Sequence, residues 1–307
     1  MTPRWVKADN AARAPGQGPD DEENTMPSRP LRITRRTALA ATAGLLASSA
    51  RAQLKSGDNP DASPRWQQVR GTLFKGRTIN DKGDTVVSLD APARADDAAV
   101  VPIAIRAGFE QKPDRFIKQV WLIIDNNPSP ISAIFEFSPA SGSADIETRV
   151  RIDEYTFVRA IAELSDGALY MSTRWVKAAG GCSAPPAKDA QAALASLGRM
   201  KLRIEAPEAG LRAGQPVLAQ LMISHPNHSG LAMDQLSRQY TPAHFVRRID
   251  ISDSGRPLLS ADVDFSISEN PNLRFYFTPR EAGELKAEVL DSKDLRFEIS
   301  LRYRSGV

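Results

Sequence analysis

The residue with the clearest chemical potential is Cys182, the single cysteine of the 307-residue chain. It lies in Lys177-Ala-Ala-Gly-Gly-Cys-Ser-Ala-Pro-Pro186, here called the cysteine arm. A run so rich in glycine and proline is unsuited to the interior of a helix or strand, so it predicts an exposed loop. Because an exposed thiol can ionise and act as a nucleophile, we expect Cys182 to be reactive.

The neighbours of Cys182 predict a mobile segment around this thiol. Gly180, Gly181 and Ser183 are small residues, and they predict a flexible arm that could enter a narrow partner channel. The charges of Lys177 and Lys188 could favour the thiolate and attract anions. The same two lysines could equally be solubilising loop charges.

Histidines offer a second set of reactive side chains, at His225, His228 and His244. The spacing His225-Pro-Asn-His228 is a weak metal motif, because no other histidine or cysteine lies at ligand spacing. We therefore predict no metal site and expect His225 and His228 to form hydrogen bonds within their loop. A thiol hydrolase remains an alternative if His225 or His244 lies within hydrogen-bond reach of Cys182. The scattered aspartates and glutamates are predicted to face solvent.

Composition narrows the class of protein. The net charge is only +3, from 40 basic and 37 acidic residues, which argues against a nucleic-acid-binding protein. Hydrophobic residues make up 41% of the chain, enough to bury a core. The 22 prolines and 19 glycines are spread throughout, which favours many short strands joined by turns.

The N-terminal region predicts export. Arg35 and Arg36 precede a short apolar run that ends in Ala50-Arg-Ala52, a pattern typical of a twin-arginine signal with cleavage after Ala52. We therefore expect residues 1–52 to be a disordered N-terminus and a signal peptide, and the mature chain to be periplasmic without a membrane span. In an oxidising compartment, an unpaired cysteine indicates a reactive thiol or an intermolecular bond.

The remaining chain is predicted to be all-β, as two immunoglobulin-like antiparallel β-sandwiches in tandem. Short apolar or alternating runs recur about every ten residues on both sides of the cysteine arm, which is typical of a sandwich. An Ala-rich run that follows the arm predicts a short helical linker, and Arg65–Arg70 is expected to form another short helix. The proposed division is a polar leading segment at 53–79, a first sandwich at 80–179, the arm and linker at 180–199, and a second sandwich at 200–307.

Short motifs in a fixed order resemble two families of sulfur-oxidation proteins. The first half resembles SoxY in Val101-Pro102, Asn127-Pro-Ser-Pro130, Thr148-Arg-Val-Arg151, Ser165-Asp-Gly167 and Gly180-Gly-Cys182. The second half resembles SoxZ in His225-Pro226, Gly230-Leu231, Pro242-Ala-His-Phe245, Asn270-Pro271, Phe275 and Gly283-Glu284. The chain thus resembles a fused SoxY–SoxZ carrier of the kind associated with quinoprotein dehydrogenases. The chain departs from these families in two ways. The arm is internal rather than C-terminal, and Asn227 replaces the usual methionine.

The resemblance implies a carrier rather than an enzyme. Cys182 would hold a sulfur-containing intermediate covalently, with no separate cofactor, as in thiosulfate oxidation. The implied partners are periplasmic sulfur-oxidation enzymes and c-type cytochromes, or a quinoprotein dehydrogenase. The alternative is a non-catalytic accessory module of a periplasmic quinoprotein alcohol dehydrogenase that uses pyrroloquinoline quinone, in which Cys182 would be incidental.

Overall fold

The protein is built almost entirely of β-strands. The computed structural model describes residues 59–81, 83–185, 190–207, 210–234 and 237–306. The predicted signal peptide, its cleavage site at Ala52 and Lys188 lie outside these ranges. Within them, the two α-helices are α1 (Pro64–Leu73) and α2 (Ala190–Ala195), and short 3₁₀ turns cover Pro60–Ala62, Gly83–Thr85 and Pro139–Ser141. The strands of the described ranges are β1 (Ile79–Asn80), β2 (Val87–Asp90), β3 (Val101–Ala107), β4 (Ile117–Ile124), β5 (Ile131–Phe137), β6 (Ile146–Val150), β7 (Thr156–Leu164), β8 (Leu169–Val176), β9 (Met200–Ile204), β10 (Val217–Ile223), β11 (Val246–Asp253), β12 (Arg256–Val263), β13 (Asn272–Phe277), β14 (Ala282–Asp291) and β15 (Arg296–Arg304).

These strands form two sheets, and each sheet contains strands from both the first and the second half of the chain. One sheet has the order β1-β8-β7-β4-β5-β12-β11-β14-β15, and the other has the order β2-β3-β6-β13-β10-β9. Strand β5 of the first half pairs with β12 of the second, and β6 pairs with β13, both antiparallel. The all-β prediction is confirmed, and the two sandwich halves are fused edge to edge.

One hydrophobic core lies between the sheets and includes residues of both halves. Burial alternates along β10, where Val217, Ala219, Leu221 and Ile223 point inward. This is the period of two expected for a strand with one solvated face.

Helix α1 covers part of the outer face of the longer sheet. The helix begins at Pro64, and the Oγ atom of Ser63 caps it by accepting the N–H of Trp66 at 3.2 Å. Its Trp66 is buried, and so is Phe74 just after the helix, in a second cluster with Trp121 of β4 and Ile161 of β7. The short helix predicted at Arg65–Arg70 is confirmed, and it explains why β7 is buried on both faces.

Three aspartates contradict the prediction that carboxylates face solvent. Asp125, Asp253 and Asp291 are at most 1% exposed, and each has a partner. Asp125 forms an ion pair with Arg159, and Asp253 accepts a hydrogen bond from the hydroxyl of Tyr303. Asp291 interacts with the imidazoles of His225 and His244. Buried carboxylates need such partners, because an unpaired buried charge is costly.

Within the described ranges, no helix is long and apolar enough to cross a bilayer.

Candidate functional site

Cys182 is buried, with an exposed fraction of 1%. The prediction that this thiol is exposed is therefore wrong. The N–H of Gly180 donates to the carbonyl oxygen of Asp153 at 2.7 Å, and the N–H of Gly181 donates to that of Ile152 at 2.9 Å. Ser183 lies back on the same turn, with its Oγ donating to the Gly180 carbonyl at 3.4 Å. The cysteine arm is thus packed against the segment between β6 and β7.

Gly181 is required by close packing rather than by flexibility. A Cβ atom at this position would overlap the carbonyl oxygen of Ala98 and lie 2.7 Å from that of Ile152. Gly180 differs, because its surroundings are open and its φ of +81° is the feature that favours glycine. The two glycines therefore seat the thiol by different means.

The second half of the chain closes over the arm. The loop between β10 and β11 contributes residues 224–230, here called the histidine loop. Ser229 donates its Oγ–H to the Cys182 carbonyl oxygen at 2.5 Å. Asn227 is fully buried with a φ of +46°, and its side chain donates to Ile267 and accepts from the N–H of Val246. The thiol consequently lies between the SoxY-like and SoxZ-like halves.

Burial controls the acidity of the thiol. Desolvation, reinforced by the negative charge of Asp153, raises the pKa of Cys182 to about 12. Arg151 acts in the opposite direction, and Asp264 in the same direction as Asp153. At neutral pH the seated sulfur is a protonated thiol, which is a poor nucleophile.

The cation that acts on the thiol is Arg151, which was not among the supporting charges predicted from the sequence. Lys177 is exposed at the end of β8 and is not among the charges that shift the pKa of Cys182. Arg151 is buried instead, and it donates from its two terminal nitrogens to the carbonyl oxygens of Gly181 at 3.5 Å and Asn227 at 3.3 Å. This arginine belongs to one of the SoxY-like motifs, but its burial next to the arm depends on residues about 75 positions away.

Two histidines and a carboxylate form a buried cluster in the second half. The Oδ2 atom of Asp291 lies 2.7 Å from Nε2 of His244 and 3.4 Å from Nε2 of His225. The N–H of Asn227 donates to Nδ1 of His225 at 3.1 Å, so the imidazole proton of the neutral ring belongs on Nε2, facing Asp291. The three side chains could together ligate a metal, and their hydrogen bonds also satisfy one another.

This cluster does not support the thiol-hydrolase alternative. Among the described residues, no imidazole forms a hydrogen bond with Sγ of Cys182, and the contacts of His225 and His244 lead to Asp291 and Asn227. The prediction that His225 bonds within its loop is confirmed by Asn227. His228 pairs instead through its main chain with His244, across the two hydrogen bonds of a β-bridge.

We expect opposite effects of two buried groups on acid stability. Burial, with the charge of nearby His244, lowers the pKa of His225 to about 4, whereas burial raises the pKa of Asp264 to about 6. As the pH falls from about 6.5 to about 4, the unfolded chain protonates His225 before the native state does, which costs up to about 3 kcal/mol. The native state protonates Asp264 before the unfolded chain does, which returns a similar amount.

Urea unfolding between pH 7 and pH 4 separates these contributions. Relative to the wild type, His225→Asn should gain stability as the pH falls, and Asp264→Asn should lose it. The gap between the two variants should change by several kcal/mol, because each tenfold difference in proton affinity between the native and unfolded states corresponds to about 1.4 kcal/mol. Parallel stability curves for the three proteins would contradict both assignments.

Family comparisons match both halves of the chain. Residues 70–182 match the family described as sulfur oxidation protein SoxY. Residues 204–302 match the family described as sulphur oxidation protein SoxZ. No curated protein matches.

Solved structures give only distant similarity. The sulfur carrier protein SoxY from Chlorobium limicola f thiosulfatophilum is 20% identical, with a TM-score of 0.31, over 37% of this chain and 91% of that one. A superoxide reductase (neelaredoxin) from Ignicoccus hospitalis is 13% identical, with a TM-score of 0.28, over 30% of this chain and 79% of that one. A beta-glycosidase from Bacteroides vulgatus is 10% identical, with a TM-score of 0.21, over 71% of this chain and 24% of that one.

Proposed function

Because the chain belongs to the fused SoxY–SoxZ-like proteins, with a SoxY domain followed by a SoxZ domain, we propose that it is a sulfur-oxidation carrier that holds its cargo covalently on Cys182. The observation that carries this proposal is the end of the SoxY match at residue 182, the single cysteine. The thiol thus occupies the last position of the SoxY domain, where the carrier cysteine is expected.

The carrier cycle requires two positions of the cysteine arm. In the seated position the thiol is buried and protonated, so it neither loads nor exchanges sulfur. Few polar contacts hold this position, namely those of the N–H groups of Gly180 and Gly181, that of the Ser229 hydroxyl, and the long contact of Arg151 to the Gly181 carbonyl. At about 1 kcal/mol for each hydrogen bond, opening costs a few kcal/mol, so a partner enzyme could draw the arm out with modest binding energy.

Loading is an oxidative step that partners must complete. A sulfur–sulfur bond between the Cys182 thiolate and thiosulfate gives a cysteine S-thiosulfonate, and it releases the thiol proton and two electrons. A c-type cytochrome among the sulfur-oxidation enzymes would accept these electrons. The protein itself supplies the sulfur nucleophile and the shelter, and the partner enzymes carry out the chemistry.

Intact-mass spectrometry tests the proposal. Protein isolated from its native periplasm during growth on thiosulfate or sulfide is expected to bear sulfur adducts that a reductant removes. Cys182→Ser should remain folded, carry no adduct and fail to support sulfur oxidation. Only free thiol in the fed wild type would contradict the proposal. Normal activity of Cys182→Ser, together with a stable complex with a quinoprotein dehydrogenase, would favour an accessory module instead.

The site of action is proposed to be the periplasm. Arg35 and Arg36, with cleavage after Ala52, form the expected twin-arginine signal. That pathway exports folded proteins, which suits a chain whose two halves share both sheets. N-terminal sequencing of the periplasmic protein should begin at Gln53.

A further inference from the structure

Arg151 is a buried cation whose charge lacks a close partner. Its exposed fraction is 6%, and it lies immediately after β6. Its terminal nitrogens reach only carbonyl oxygens, at the long distances of 3.5 Å to Gly181 and 3.3 Å to Asn227. Its Nε atom is buried without any hydrogen-bond partner among the described residues. Arg151 therefore lies beside the cysteine arm with an N–H group, on Nε, that has no hydrogen-bond acceptor among the described residues.

The contrast with Arg159 shows how unusual this arrangement is. Arg159 is also buried, but its guanidinium binds both carboxylate oxygens of Asp125, at 2.8 Å and 2.7 Å. Among the described residues, no carboxylate oxygen lies within ion-pair distance of Arg151. Glu269 and Asp97 act on it only as more distant charges. Because an unpaired buried charge is expensive, its presence points to an anion that joins it in another state of the protein.

The thiol is the group from which such an anion would extend. Arg151 contacts the carbonyl of Gly181, the residue before Cys182, and its charge acts on the thiol. A sulfur-oxidation intermediate that ends in a sulfonate group carries three oxygens around a tetrahedral sulfur, which a guanidinium can bind through several N–H groups at once. A neutral thiol offers nothing comparable.

We propose that Arg151 is the anion-binding residue of the carrier site, holding the negatively charged end of an adduct on Cys182 when the arm is seated. This inference rests on the proposed function. It implies that a loaded arm with an anionic cargo is held more firmly than one with a neutral cargo of the same size.

Two synthetic adducts of nearly equal size test the inference on the full mature chain. Iodoacetate and iodoacetamide both react by attack of the Cys182 thiolate on the CH₂ carbon, which forms a C–S bond and expels iodide with the bonding electron pair. The thiol proton passes to the buffer. Labelling under mild denaturant followed by refolding gives a carboxymethyl and a carbamidomethyl form, which differ in charge. Any strain caused by the size of the adduct cancels in their comparison.

The expected result is a higher melting temperature for the carboxymethyl form, by about 2–4 °C. In Arg151→Met the order should reverse, because Asp153 and Asp264 then dominate the local charge. Arg149→Met is the matched control, since it removes an exposed arginine two residues away and should leave the difference unchanged. If Arg151→Met fails to fold, Arg151→Lys, which keeps the charge, should retain the sign of the difference.

Two outcomes would overturn the inference. One is a wild-type carboxymethyl form that melts at or below the carbamidomethyl form, and the other is the same difference in Arg151→Met as in the wild type. Neither depends on the native cargo. Absence of sulfur adducts in the periplasmic protein would instead count against the proposed function, while a charge-dependent difference between the synthetic adducts would still stand.

Discussion

Gly181→Ala is expected to unseat the cysteine arm and to raise the alkylation rate of Cys182 at pH 7.5 by at least about 100-fold. The added Cβ would overlap the Ala98 carbonyl oxygen, which is main chain and belongs to the segment leading into β3. The arm can relieve this overlap only by moving away. Once it is solvated, the thiol should return from a pKa of about 12 toward its ordinary range, and the thiolate fraction should rise by up to about a thousand-fold.

The measurement is the rate of reaction with iodoacetamide under native conditions, followed by intact mass. Gly180→Ala is the matched control, because a Cβ there meets open space and only the positive φ is strained. That strain is about 1 kcal/mol, so the rate should rise by no more than about ten-fold. Ser229→Ala removes one hydrogen bond to the Cys182 carbonyl and should raise the rate about five-fold. Equal rates for Gly181→Ala and the wild type would show that the arm is not closed by this contact.

The burial of Cys182 shows where local sequence patterns fail. Glycine and proline around a cysteine do predict a loop, and the segment is a loop. Its exposure is decided by partners that are distant in the sequence, such as Ser229, which lies 47 residues along the chain. Composition cannot reveal that the N–H groups of Gly180 and Gly181 are used for packing rather than left free.

The strands were more predictable than their arrangement. In β13, the apolar residues Leu273, Phe275 and Phe277 recur at every second position and point inward, so the buried face is a local property of the sequence. The pairing of β5 with β12 joins Phe137 to Leu259, and nothing in either strand distinguishes it from a free edge. The two-residue strand β1, which pairs parallel with β8, is too short to have a pattern at all.

In the candidate site, too, single features can be recognised from the sequence, but their arrangement cannot. The SoxY-like and SoxZ-like motifs mark Cys182, Arg151 and the histidine loop as separate features of the sequence. They come together because each sheet contains strands of both halves, which brings the end of β6 close to the histidine loop. Asp291 carried no sequence motif, and only the fold brings it to His225 and His244.

Arg159→Met is expected to lower the free energy of unfolding by about 3–5 kcal/mol, because it leaves a fully buried carboxylate without its cation. Arg159 binds Asp125 through two nitrogens, donates to the Pro60 carbonyl at 2.6 Å and lies 4.4 Å from the ring centroid of Trp66. Its loss should therefore also loosen helix α1 from the sheet. Urea unfolding followed by tryptophan fluorescence would report both effects, since Trp66 lies in this cluster.

Two further variants show whether the buried pair itself causes this loss. Arg247→Met breaks an ion pair with Asp294 whose side chains are 48% and 80% exposed, and it should change stability by less than about 1 kcal/mol. The double variant Asp125→Leu/Arg159→Met removes both charges, and it should be more stable than Arg159→Met alone because no unpaired charge remains buried. If the double variant loses as much as the sum of its single substitutions, the cost arises from packing around Trp66 rather than from the stranded carboxylate.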